Sequence, residues 1–493
     1  MSGRQWILSL VLATMLAGGT RLHADDAKPT PAAPALTKDE EYYKLMEILA
    51  DTFEQIERNY VKEVDRRKLV EAAIRGMLEP LEDPYSNYIS PDELGQFTQV
   101  IEQEFGGIGI QVELDPVHHR LTVTSPLPGS PAHKAGIKAG DMILDIEGKT
   151  TNGMTLEDAV KLMKGPIGES VKVNVRHLDM KTEQLTVTRA KIQLKTVLGD
   201  VYRPDGTWDY MLDKEKKFGY IRLTSFSRET TSELKKALDE LVKEGMQALV
   251  LDLRNDPGGL LQAATDIADM FLEEGVIVST KGRNTEPRVF EARKKGTYPN
   301  FPMAVLVNRY SASASEILSA ALQDHNRAVV VGERTWGKGS VQNVIQMEEN
   351  KSALKLTTAS YHRPSGKNIH RFKDALETDE WGVMPNEGYA IKFSNDELVK
   401  YNDFRRHRDV LKEDAPNKSD FVDTQLNKAL DYLTGKLAAK DVPDADKKPE
   451  EKKPEEKKDA EAKDGDKKAD TKGEAALRRE ILPRPARPFI VVI

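Results

Sequence analysis

The chain has 493 residues, 39% of them hydrophobic, and carries 73 Lys and Arg against 80 Asp and Glu, for a formal net charge of −7. That length predicts two or three domains with cores of their own. The acidic balance, with bases interleaved among acids, excludes a nucleic-acid footprint. The absence of cysteine excludes disulfides and a lipoprotein attachment.

Residues 1–24 read as an export signal. Arg4 gives a short positive start, Trp6 to Ala17 an apolar run, and Leu22-His23-Ala24 a small-residue end where cleavage is expected. The run is short for a membrane span, with an uncleaved anchor as the alternative. The protein is therefore expected outside the cytoplasm, periplasmic or in the cell envelope, free or membrane-associated. Residues 25–37, rich in Ala, Pro and Asp, are expected to form a flexible leader. Residues 38–104 read as helical. Tyr43, Met46, Leu49, Phe53 and Ile56 recur at three- and four-residue spacing. Leu69 to Met77 predicts a second helix, and Asp83-Pro84-Tyr85-Ser86 a turn.

Residues 105–190 change character. Phe105-Gly106-Gly107-Ile108-Gly109-Ile110 is a glycine-rich turn entering a strand. It is followed by Gly129-Ser130-Pro131-Ala132, Ala135-Gly136-Ile137, Gly140-Asp141-Met142-Ile143 and Ile146-Glu147-Gly148. An amphipathic helix is expected from Thr155 to Lys164 and a strand from Val171 to Val175. This ordered set resembles a bacterial-type PDZ domain. Such a domain adds an extended peptide to a sheet edge and captures its terminal carboxylate on loop N–H groups. The resemblance assigns that loop to Gly107, Ile108, Gly109 and Ile110. Taken alone, Gly106 and Gly107 would equally serve a tight turn.

Residues 191–395 alternate strand and helix, which predicts an α/β core with at least partly parallel strands. Gly219 to Leu223, Ala248 to Leu253, Met303 to Asn308, Ala328 to Val331 and Leu354 to Tyr361 read as strands. Ser232 to Val242, Leu260 to Phe271 and Ser315 to Gln323 read as helices. Residues 396–440 continue as helix. Residues 441–475 are Lys, Glu, Asp, Ala and Pro with almost no apolar residues, a composition expected to remain disordered. Residues 476–493 form a tail that regains apolar character and finishes Pro488-Phe489-Ile490-Val491-Val492-Ile493.

The chemistry lies in two segments. Ser311-Ala312-Ser313-Ala314-Ser315-Glu316-Ile317 joins a predicted strand to a predicted helix, so its serines sit where unpaired helix N–H groups and the helix dipole favour negative charge. Gly337-Lys338-Gly339-Ser340-Val341-Gln342 places a lysine among glycines, and a lysine in a dry site can act as a general base. Together with Ala321-Leu322-Gln323-Asp324 and Val331-Gly332-Glu333, these segments resemble the C-terminal processing (tail-specific) peptidases, serine endopeptidases with a Ser/Lys dyad. The resemblance spans residues 40 to 435. In that family the lysine follows the nucleophile by 25 positions, which selects Ser313 and Lys338, and a glutamine four positions on, here Gln342, supports the lysine amine.

The resemblance carries further expectations. Asp252-Leu253-Arg254-Asn255-Asp256-Pro257-Gly258-Gly259 is similar to the family's oxyanion segment. It implies one N–H from Gly258 or Gly259, undecided between them, and another from Ala314. Two departures stand out: Trp336 where the family more often has phenylalanine, expected to alter packing beside Lys338, and Asn386 where it usually has an acid. The implied fold is α/β and multidomain: a helical N-terminal region, a PDZ domain as a small β-barrel with helices, and an α/β protease core of strand–loop–helix units.

The implied function is an exported serine endopeptidase that reads apolar C-terminal tails and works through an acyl-enzyme. No cofactor or metal is expected. Its partners would be protein substrates with apolar tails, and its own C-terminus is a further candidate ligand for the PDZ groove, against the alternative of a tail docked on the body. A Ser/His/Asp arrangement using His325, His362 or His370 is the in-class alternative. A non-catalytic PDZ adaptor or chaperone is the alternative from another class.

Overall fold

The computed structural model describes residues 37–115, 120–203, 205–411, 420–440 and 491–492. The export signal, most of the leader, and residues 441–490 lie outside them. The chain divides into residues 1–73 and residues 74–493.

In the first unit, Lys38–Asn59 is a helix opened by a capping box, with Thr37 as its cap and Glu40 reaching back to the Thr37 amide. The apolar spacing does produce a helix, yet none of its residues is buried, and Tyr43, Met46, Leu49 and Ile56 stand exposed. A second helix begins at Arg66.

In the second unit, a sheet of antiparallel strands runs in the order Ile110–Leu114, Leu121–Pro126, Met142–Ile146, Ser170–Arg176, Thr182–Thr188. Along Ser170–Arg176 the valines 171, 173 and 175 alternate inward and are fully buried. They meet Ile108, Ile110, Val112, Leu121 and the helix Leu156–Met163 in one apolar core. The short helix Pro131–Lys134 is capped by Ser130.

The core domain is built on four parallel strands in the order Phe218–Leu223, Ala248–Asp252, Met303–Val307, Val329–Gly332. Their residues are continuously apolar because both faces are covered. Leu249, Leu251, Val305 and Val307 pack against Leu234, Leu238, Ile267 and Ile317 from the helices Thr230–Lys243, Leu261–Asp269 and Ala314–Asp324. Val250, Ala304 and Leu306 face Ala429 and Leu433 of the helix Thr424–Lys440. A second, antiparallel sheet contains the hairpin Ser340–Met347 and Ser352–His362, with Asn87–Ile89 on its edge.

The C-terminal helix is anchored by charge as well as packing. The Arg254 guanidinium bridges the Asp252 carboxylate (2.7 Å) and that of Asp423 (2.9 Å), all three buried, and stacks over the Tyr401 ring. Three loops leave the carboxyl ends of adjacent parallel strands: after Asp252, after Val307 and after Gly332. Loops at these ends are where open α/β sheets gather their functional groups, and the segments singled out in the sequence are these three loops.

Candidate active site

Each of the three serines in the loop after Val307 has a distinct fate. Ser311 Oγ donates to the Leu253 carbonyl (2.8 Å) and accepts from the Asn308 amide. Ser315 Oγ donates to the Asp256 carbonyl (3.0 Å). The Ser313 hydroxyl donates to no group among the described residues, although Ser313 is 93% buried by accessible area, with 7% exposed. Its backbone adopts φ 57° and ψ −113°, a conformation that costs a non-glycine residue about 1–3 kcal/mol and persists only where the surroundings impose it.

Those surroundings are visible. The Ala312 amide donates to the Asp256 carbonyl (3.0 Å). Gly258 packs so closely that an added Cβ would lie 2.7 Å from the Ala314 amide nitrogen and 2.9 Å from Ser313 Cβ. Only glycine fits there, at φ 92°.

The two candidate N–H donors beside Ser313 can now be sorted. The Gly258 amide is engaged, donating to Asp256 Oδ1 at 2.8 Å, so Gly258 is not the free donor. Gly259 N–H and Ala314 N–H meet no protein acceptor among the described residues. Asp256 is fully buried and its Oδ2 has no partner among the described residues; burial pushes its carboxyl well above the usual range.

Glu316 is the residue that the sequence reading missed. It is fully buried in the first turn of the helix Ala314–Asp324. Its Oε2 accepts from the amides of Ser313 and Lys338, both at 2.8 Å, and its Oε1 accepts from the Gly337 amide (2.7 Å) and the Thr335 hydroxyl (2.6 Å). One oxygen thus holds the Ser313 and Lys338 backbone nitrogens within about 5.6 Å of each other. Burial raises the Glu316 carboxyl while its four donors pull it back. The signal for it was present: Ser313-x-x-Glu316 is a helix-start pattern.

Lys338 is mostly buried. Desolvation, helped by the nearby Lys355 charge, lowers its pKa from the ordinary lysine value, and Glu316 and Asp83 oppose the shift. Its Nζ lies over the Tyr85 ring, 4.9 Å from the centroid, and forms no hydrogen bond to Ser313 Oγ. The Trp336 indole N–H donates to the Tyr85 hydroxyl at 3.1 Å, a bond that phenylalanine cannot make, so this departure fixes the aromatic lid over the lysine.

Gln342 differs from expectation. Its Nε2 donates to Ser340 Oγ (2.8 Å) and Thr357 Oγ1 (3.2 Å), and no hydrogen bond reaches Lys338. The register of the hairpin shifts between Val341 and Gln342, which turns the side chain along the strand pair. Asn386 accepts from the Val330 amide and the Gln323 side chain, tasks that need an oxygen but no charge. Of the histidines, His325 bonds the Val276 carbonyl and His362 the Ser360 hydroxyl. The buried His370 Nδ1 has no partner among the described residues, and none of the three hydrogen-bonds Ser313.

The PDZ loop is a second site. Gly109 sits at φ 78°, where a Cβ would lie 2.4 Å from Ser130 Cβ. The Gly109 carbonyl is taken by Ser130 Oγ and the Leu127 amide, and that of Ile108 by the Ala132 amide. The Ile108 and Gly109 N–H groups have no acceptor among the described residues, while Ile108 and Ile110 are fully buried. Gly107 pairs instead with Ala190 in a two-stranded ribbon. The loop therefore offers two unengaged donors beside an apolar wall.

Comparison with known proteins agrees with this geometry. Residues 217–380 match peptidase family S41, residues 98–176 the PDZ domain, and residues 14–93 the N-terminal domain of the activating protease CtpB. The chain is 36% identical over 409 residues to a carboxy-terminal-processing protease of Bartonella bacilliformis, covering 80% of this chain and 89% of that one. It is 36% identical over 338 residues to the carboxy-terminal processing protease CtpA of Bacillus subtilis, covering 68% of each. With a carboxyl-terminal-processing protease of Synechocystis it shares 34% over 426 residues, 83% of this chain and 90% of the other.

Proposed function

The chain belongs to the carboxy-terminal-processing serine proteases of peptidase family S41, and we propose that Ser313 is its nucleophile and Lys338 the general base. One observation carries this assignment. A single buried carboxylate oxygen, Glu316 Oε2, ties together the backbone of the one serine in its motif whose hydroxyl donates to no described group and that of a lysine with a lowered pKa. A lysine side chain is long enough to span that separation.

In the resting arrangement Lys338 rests against Tyr85. On substrate entry it turns toward Ser313 and takes the hydroxyl proton as Oγ attacks the scissile carbonyl. Catalytic hydrogen bonds often close only in the substrate complex. The developing oxyanion is received by the N–H groups of Gly259 and Ala314. The ammonium of Lys338 returns the proton to the leaving amine, and water then hydrolyses the acyl-enzyme, again with Lys338 as base. In this resting arrangement Gln342 Nε2 bonds Ser340 and Thr357, and its side-chain oxygen is left to receive the Lys338 amine when the lysine turns.

Recognition falls to the PDZ domain. An apolar C-terminal tail pairs with the outer edge of Ile110–Leu114 and places its carboxylate on the Ile108 and Gly109 N–H groups. What supports this is the pair of unengaged donors beside Ile108, Ile110 and Val112. The test uses a protein substrate with an apolar tail, supplied as free acid and as C-terminal amide. Wild type should cleave the amide with a strongly raised KM and little change in kcat, and Ser313→Ala should cleave neither. Equal cleavage by wild type and Ser313→Ala would remove Ser313 from the mechanism. Equal KM for acid and amide would remove the carboxylate from recognition.

The site of action proposed is outside the cytoplasm, periplasmic or in the cell envelope, on the strength of Arg4 and the apolar run Trp6 to Ala17. N-terminal sequencing of protein purified from its native cells should begin at residue 25. An intact Met1 would make the segment an anchor or disprove the signal.

A further inference from the structure

The open edge of the PDZ sheet is already paired. Val491–Val492, at the far end of this sequence, runs antiparallel to Ile110–Leu114, with Val491 opposite Val112 and Val492 opposite Gln111. The other edge of Ile110–Leu114 is taken by Leu121–Pro126, so the tail uses the remaining side of that strand. The polarity also fits a ligand. From Val491 to Val492 the tail advances from Val112 toward Gln111, hence toward Gly109 and Ile108 with their unengaged N–H groups.

We propose that the segment Phe489–Ile493 of this chain is an internal ligand of its own PDZ groove and competes there with substrate tails. The proposal rests on the reading of the PDZ domain as the tail-binding module. Three features of the chain make the pairing intramolecular.

The first is sequence: Phe489-Ile490-Val491-Val492-Ile493 is β-branched and aromatic, the composition that suits a strand added to a sheet edge. The second is reach: about fifty residues separate Lys440, the last residue of the C-terminal helix, from Val491. Their contour of ~165 Å far exceeds the dimensions of a domain.

The third is mass action. Tethering at such lengths gives an effective concentration on the order of 1 mM. An internal competitor at that concentration weakens an external ligand by a factor of 1 plus the ratio of effective concentration to Kd. For a Kd of about 100 µM, that factor is ~11. A substrate tail of ordinary affinity is thus held off, while a tail that binds much more tightly, or is presented at high local concentration, displaces the internal strand.

The experiment uses the full chain in a Ser313→Ala background, so that nothing is cleaved. A fluorescent peptide with the sequence of residues 486–493 is titrated by anisotropy into three proteins: the otherwise intact chain, a chain lacking Phe489–Ile493, and one of full length carrying Val491→Pro and Val492→Pro. Proline removes the backbone donors that a strand needs, and neither change touches the folded body. The truncated and the proline proteins should both bind the peptide about tenfold more tightly than the intact chain.

The ratio should hold on dilution from about 10 µM to 0.1 µM protein. A ratio that vanishes on dilution would instead mean pairing between copies and would overturn the intramolecular assignment. Equal binding by all three proteins would overturn self-occupancy while leaving tail recognition intact. Failure of the peptide to bind any of the three would overturn both. In the active enzyme, the same truncation should lower the KM for a tailed substrate and leave kcat unchanged.

Discussion

Lys338→Arg should lower kcat/KM by at least ~10²-fold, the usual contribution of a positioned general base. Guanidinium fills similar space but keeps its proton at every accessible pH. The wild-type pH profile gives the sign. The base works only when neutral, so activity rises with pH through the Lys338 pKa. Because desolvation and Lys355 lower that pKa, the rise should come well before an ordinary lysine would titrate.

Lys355→Met separates the two causes. Removing a neighbouring positive charge makes the protonated lysine less costly, so its pKa should climb and the acidic limb should move to higher pH. An arginine variant with near-normal activity, or a limb that stays in place in Lys355→Met, would contradict the assignment of base and neighbour respectively.

Glu316→Gln should be almost as damaging, for a different reason. All four groups around the carboxylate are donors. An amide oxygen can serve only one pair of them, and its NH2 then confronts the other. Leaving two buried donors unsatisfied costs about 1–3 kcal/mol each, so a loss of about 2–6 kcal/mol in stability is expected by chemical denaturation.

Since Thr335 Oγ1 also accepts from the Val383 amide, the damage extends into the loop that carries Lys338. Activity should fall by more than the unfolded fraction explains. The pH profile distinguishes a positioning role from mere destabilisation. Glu316 supports the charged form of Lys338, so its neutralisation should move the remaining acidic limb to lower pH. A variant that is destabilised but has normal kcat in its folded fraction would show that Glu316 only braces the fold.

Much of this was legible in the sequence, and what was not has physical causes. The parallel sheet could be read from unbroken apolar runs such as Ala248 to Leu253, because strands covered on both faces need no alternation. The Ser313 and Lys338 segments could be read because they resemble those of a known peptidase family, whose spacing of 25 positions picks out this pair. The uncommitted state of Ser313 could not, since it depends on Leu253, Asn308 and Asp256 satisfying the two neighbouring hydroxyls. Likewise, Gly258 and Gly259 look alike in sequence and differ only through the reach of Asp256.

Tyr85 comes from some 250 residues upstream of Lys338. Its Asp-Pro-Tyr-Ser turn was visible, but its place over the lysine follows from the edge strand Asn87–Ile89 pairing with Ser352–His362. Gln342 Nε2 bonds Ser340 and Thr357 on a hairpin whose register shifts beside it, and nothing local announces such a shift. The helical spacing around Tyr43 gave the helix correctly but said nothing about what, if anything, would cover its apolar face.

The helix behind Ser313 has a kinetic consequence. All nine residues from Ala314 to Leu322 are buried, and Ile317, Leu318 and Leu322 belong to the main core. Such a helix has no fraying end at its catalytic terminus. It opens to solvent only when the whole domain opens, at the top of the range of local opening free energies. The strained turn at Ser313 therefore cannot relax piecemeal into an easier φ and ψ. The proposed nucleophile is presented for as long as the domain is folded, so loss of activity on heating should coincide with unfolding of the core domain, and parallel activity and circular-dichroism melts check this.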